Sequence, residues 1–140
     1  MRIAASFLAL SNGDRLLVLK TIATLAFVRL ALGVLSVEWL RAWATRMGRG
    51  GRSVERVTWA VSAAARRLPG CTCLVSALAL QRLLSREGHA SELHIGVARR
   101  EVGIAAHAWI VCRGATLIGE SEAGDYEPLV TWRIAGPDDA

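Results

Sequence analysis

The chain has 140 residues, 53% of them hydrophobic and 21% charged, with a formal net charge of +5. This is enough apolar material for one domain with its own core, too little length for two ordinary domains, and the wrong composition for a disordered chain. Three cysteines, an odd number with Cys71 and Cys73 too close for a relaxed bridge, argue against a secreted disulfide scaffold and for a reducing cytoplasm.

Charge is unevenly placed. Residues 1–113 carry 16 basic and 6 acidic groups, and residues 114–140 carry 1 basic and 6 acidic. A basic body attracts acidic peptides, nucleic acids or membrane surfaces without specifying a fold. No groove-reading or aromatic motif accompanies it, so nucleic acid is not an expected partner. The first ten residues hold a short apolar run but no small-residue cleavage site, and no export signal is expected.

Residues 14–47 have a helical pattern, opened by Asn12-Gly13-Asp14 and broken near Gly33 to Ser36 into two helices. The second carries Trp39 and Trp43 on one face. The apolar run from Leu16 to Val37 is long enough to span a bilayer, but Lys20 and Arg29 interrupt it. A central arginine costs about 2.5–3.5 kcal/mol on insertion scales, so a buried or partner-facing helical hairpin is preferred to a membrane span.

MGRGGRS, Met47 to Ser53, reads as a flexible connection or hinge. Val54, Val57, Val61, Ala64 and Leu68 then recur at helical spacing until Pro69-Gly70. The next helix has Cys73 in its first turn and ends at Gly88 as a left-handed cap. Strands follow at Glu92 to Ala98, Ala105 to Cys112 and Thr116 to Ser121, giving helices first and then an antiparallel meander. The final GPDDA reads as a frayed end.

Cys73 and His107 are the residues whose placement suggests covalent chemistry. A thiol at a helix N-terminus sits where the dipole and unpaired N–H groups favour a thiolate, and an imidazole on a strand is a suitable base. A third group must hold the ring in the useful tautomer. A tight hairpin at Arg113-Gly114 brings Glu120 opposite His107, while Glu122 shares its face and Asp125 follows in a loop, so any of the three could serve.

Competing readings exist for each residue. A cysteine in an apolar helix often packs as a small hydrophobe, as expected for Cys112, and Cys71 precedes the helix proper. Cys71, Cys73, His89, His94 and His107 could be gathered around zinc, but C-x-C without a second paired motif is a weak ligand pattern; no metal or other cofactor is expected. Trp109 fits either a site-shielding or a core role. Most arginines between positions 41 and 67 read as solvated helix faces.

The stretch PGCTCLVSALALQRLLSREGHASELHIGVARR, with Cys-Leu at the helix start, followed by AHAWI and RGATLIGE, resembles the B2 leader peptidases of lasso peptide biosynthesis. Their cysteine-protease domain is transglutaminase-like. By motif the resemblance covers roughly residues 54–130. It implies an α+β fold with a papain-like or transglutaminase-like core: a helix with an N-terminal cysteine packed on an antiparallel sheet, beside an N-terminal helical subdomain. The expected organisation is one domain over 1–140, with a helical region over 1–50 and the cysteine-protease core over 51–135.

The same resemblance implies Cys73 as nucleophile, His107 as base and acid, and Glu120 at the position of the acidic third member, where aspartate is common. The implied substrate is a precursor peptide of leader and core. A separate small leader-binding protein and an ATP-dependent cyclase are the implied partners. Two other functions remain compatible with these residues: a non-catalytic adaptor that holds a peptide, a partner or a membrane, and a transglutaminase-type acyl transferase using the same triad.

Overall fold

The computed structural model describes residues 9–99, 104–118 and 127–133. Among the described residues four helices precede four strands: α1 (Asn12–Ala31), α2 (Val37–Ala44), α3 (Val54–Ala65), α4 (Cys73–Arg86), β1 (Glu92–Arg99), β2 (Ile104–Cys112), β3 (Ala115–Ile118) and β4 (Glu127–Arg133). The fold is α+β, with an antiparallel sheet in the order β3-β2-β1-β4.

A hydroxyl starts each of these four helices. Ser11, Ser36, Ser53 and Thr72 each have extended backbone and accept from the N–H three residues on, satisfying one of the donors that a helix N-terminus leaves open. In α1 the buried positions are Leu17, Thr21, Leu25, Val28 and Ala31, a single stripe at steps of three and four. Thr21 is tolerated in that stripe because its hydroxyl donates to the Leu17 carbonyl at 2.7 Å. In α3 the corresponding stripe is Val54, Val57, Ala60, Val61 and Ala64.

Helix α4 is different. Buried residues surround most of its circumference, from Val75 through Leu78, Leu80 and Leu84, because α1, α2 and α3 pack on it from one side and β2 from the other. Its hydrophobic neighbours form one cluster that runs from Leu25 of α1 to Ile110 of β2. No described helix is long and apolar enough to cross a membrane. Arg29, which interrupts the apolar run of α1, is used internally: its guanidinium donates to the Pro69 carbonyl at 2.9 Å.

The glycine-rich segment before Ser53, expected to be a flexible connection, is instead docked on the end of α4. Gly48 N–H donates to Ser85 O at 2.8 Å and Gly50 N–H to Arg86 O at 2.9 Å. A Cβ at Gly48 would overlap the Arg86 carbonyl, so the backbone approach itself requires glycine there. Gly88, at φ 87°, closes α4 as predicted, with Gly88 N–H on Ser85 O and His89 N–H on Leu84 O. Arg82 reinforces the junction by donating to the Trp43 and Arg46 carbonyls. Burial, with Arg86 and Arg46 nearby, lowers its pKa from the ordinary value.

Glu87 ties the segment down by accepting from Arg52 twice, from the backbone N–H at 3.0 Å and from the guanidinium at 3.1 Å. Burial alone would raise the carboxyl pKa, but the Arg52 hydrogen bonds, the Arg52 charge and Lys20 outweigh it and hold the group below its ordinary 4.5. A depressed folded pKa contributes stability that is present above pH 4.5 and lost as pH falls through the folded value. Glu87→Gln is therefore expected to lower the melting stability at neutral pH by about 1 kcal/mol, with the Arg52 partner's partial exposure keeping the effect small. Melting wild type and variant across acid pH checks this: the difference should vanish well below pH 4.5.

The meander expected from the sequence holds for β1, β2 and β3. Beyond it, β4 adds to β1 rather than to β3, with Leu93 opposite Trp132 and Ile95 opposite Val130. The sequence reading did not anticipate this strand. Pro128 removes a ladder donor, which suits β4's place at the sheet edge.

Candidate active site at the start of the central helix

The turn before α4 is held from two directions. Gly70 has φ 77°, a conformation that side chains resist, and a Cβ there would lie about 2.5 Å from the Arg29 guanidinium. Arg29 thus packs on Gly70 while bonding to Pro69. Thr72 then caps the helix by accepting from the Val75 N–H at 3.3 Å. Cys73 follows as the first helical residue, with the Cys73 and Leu74 amides in the turn that has no intrahelical acceptor. Gly70→Ala is expected to destabilise the fold by about 1 kcal/mol or more through the positive φ and the displaced arginine. Chemical denaturation measures it, and Gly51→Ala, whose Cβ meets nothing within 4 Å, serves as the tolerant control.

All three cysteines are free thiols, in three different settings. Cys71 and Cys73 are half-buried at the edge of the core cluster, one before the cap and one after it. Cys112 lies inside that cluster and its Sγ donates to Ala90 O at 3.3 Å. Burial raises the Cys112 thiol pKa, Glu55 raises it further, and Arg113 only partly opposes them. A thiol held protonated inside the core is a packing residue, the role expected for it.

His107 lies on β2, across from Gly96 of β1. Its ring stacks near Trp109 at 6.1 Å between centroids, and Trp109 stacks in turn on His94 at 5.5 Å. Trp109 is 5% exposed, so it shields this part of the sheet. On the pleat, His107 and Trp109 alternate with Ala108, Ile110 and Cys112, and the second set joins the core shared with α4. The described contacts therefore place His107 with His94 and Trp109, and Cys73 beside the other layer. Among the described residues no hydrogen bond joins Cys73 to His107.

Glu120, and its alternatives Glu122 and Asp125, lie outside the described residues, as does the GPDDA end. Of the residues weighed as zinc ligands, His89 belongs to the far end of α4, where its Nε2 is 2.7 Å from Arg52 O. His94 Nε2 lies 3.0 Å from Glu92 Oε2 on the sheet. The two cysteines at the helix start and these two histidines belong to separate parts of the fold.

The described residues form an α+β protein with a free thiol on the first residue of a capped helix that packs against an antiparallel sheet. Residues 17–131 match the family described as the transglutaminase-like superfamily, and the chain belongs to that superfamily, whose members are in general thiol enzymes. No curated protein and no solved structure matches the chain.

Proposed function

We propose that this protein is a cysteine peptidase that removes the leader from a ribosomally made lasso peptide precursor. Cys73 at the start of α4, in a chain of the transglutaminase-like superfamily, is the observation that carries the reading. In the proposed reaction the Cys73 thiol gives its proton to His107 and the sulfur adds to the scissile carbonyl. The Cys73 and Leu74 amides receive the developing oxyanion. The C–N bond breaks, the imidazolium protonates the leaving amine, and water cleaves the thioester to a leader carboxylate and free thiol. Glu120 orients the imidazole.

Proton exchange requires the His107 imidazole within reach of the Cys73 sulfur in the substrate complex. Catalytic contacts commonly tighten only in the substrate complex. The freed core amine is then available to an ATP-dependent cyclase, and a separate small protein presents the leader.

Mass spectrometry of precursor incubated with the enzyme and the leader-binding protein tests the proposal. The expected products are a leader acid and a core amine whose masses together exceed the precursor by one water. An amine adduct at the acyl group would instead establish transfer, and unchanged precursor would count against both. One observation favours an adaptor role: Leu30 and Val34 are 73% and 85% exposed, and Trp39 and its ring neighbour Phe27 are partly exposed as well. Partner binding with no thiol-dependent product would establish it.

A further inference from the structure

Helix α1 is apolar on both of its sides. Opposite the buried stripe of Leu17, Thr21, Leu25 and Val28, the positions Leu16, Leu19, Ala23, Ala26 and Leu30 recur at the same steps of three and four and are exposed. Ile22 and Phe27 widen this outer face, whose ends at Leu16 and Leu30 lie roughly 20 Å apart along the helix. Arg29 is the one exposed position from 16 to 30 that is not apolar, and its guanidinium is turned to the Pro69 carbonyl. Beyond α1 the turn residues Val34 and Leu35 are exposed as well, and Trp39 of α2, about half exposed, has its ring 6.3 Å from that of Phe27. Residues 14–49, which include both helices, carry six basic groups and two acidic ones, and one of the acids, Asp14, is paired with Arg56.

We propose that this face docks on an anionic lipid bilayer, with α1 lying in the plane of the interface. A helix that lies on a membrane needs an apolar face for the acyl boundary and an excess of cations for the headgroups, and it does not need the length or the uninterrupted apolarity of a span. Trp39 adds an amphipathic ring of the kind that settles at headgroup level. A second copy of the chain would set the same excess of positive charge against itself. A folded protein partner is selected by hydrogen bonds as well as by shape, and apart from Arg29 the exposed side chains from Leu16 to Leu30 offer no donor or acceptor. A bilayer requires neither. The sheet lies on the other side of α4 from α1, so docking leaves β2 and His107 on the side away from the lipid.

Flotation of the intact chain with vesicles of phosphatidylcholine containing about a quarter phosphatidylserine tests the proposal. Binding at least about tenfold stronger than to phosphatidylcholine alone is expected, and added salt should weaken it. Leu19→Gln with Leu30→Gln changes no charge and should lose at least about tenfold in partitioning, whereas Leu19→Met with Leu30→Met should retain it. Thermal melts establish that each variant is folded. Should the glutamine pair fail to fold, each single substitution is floated and should lose part of the binding. No flotation of the wild type, or wild-type flotation by the folded glutamine variants, would overturn the proposal. So would a dimer in sedimentation velocity that the glutamine pair dissociates while vesicles bind neither form, since the face would then belong to a second copy. These measurements read binding and not product, so they stand or fall apart from the peptidase reading.

Discussion

Replacing Cys73 with alanine is expected to abolish leader removal, by about a thousandfold or more, while Cys71→Ala retains most of it. The two thiols are separated by one residue, but that residue is the helix cap. Cys73 has helical backbone and sits in the first turn, where the open amides and the dipole act on a developing negative charge. Cys71 precedes Thr72 and lies outside that turn. Cys112 offers no substitute, because burial holds its thiol protonated inside the core. Mass spectrometry of leader and core products after equal incubation checks the pair of variants, and iodoacetamide mapping before digestion should find Cys112 the slowest thiol to label. Full activity in folded Cys73→Ala would end the case for covalent catalysis at this position, whichever acyl acceptor is used.

The largest effect on stability is expected at Leu80. It is fully buried in α4, the helix that both layers share, so truncation leaves a cavity in the one cluster that the helices and the sheet have in common. Leu80→Ala should cost about 2–5 kcal/mol, the lost transfer free energy plus the cavity left behind. Against a total of about 5–15 kcal/mol for an ordinary domain, that is a large fraction. Urea unfolding monitored by far-ultraviolet circular dichroism measures the midpoint shift, with an unchanged slope marking a loss of native stability. Leu19→Ala, at a position 54% exposed on α1, should shift it by no more than about 0.5 kcal/mol.

The helices were legible because burial leaves a period in the sequence. The break after Ala31, the cap at Gly88 and the placement of Cys73 in the first turn of α4 follow from turn chemistry that acts over a few residues. The role of the glycines at 48 and 50 was not legible, since composition cannot distinguish a glycine that frees the chain from one that lets two backbones touch. Strand β4 was hidden for a similar reason: its partner is β1, more than thirty residues earlier, and nothing local announces the pairing. Residue type pointed to the candidate site, and its geometry was only partly readable. Alternation along β2 is readable, but which alternate set faces α4 is decided by packing, and it is Ala108 and Ile110 that enter the core.

The docking of the 48–50 backbone on the last carbonyls of α4 has a consequence for how the molecule opens. Amide protons of Gly48 and Gly50 are hydrogen-bonded to Ser85 and Arg86, so their release requires the end of the central helix to be exposed. In hydrogen exchange they should be protected with the α4 terminus and respond to the same destabilising substitutions. A segment with the composition of a spacer would then behave as part of the cooperative unit, and strain placed on it would be felt along the helix that begins with Cys73.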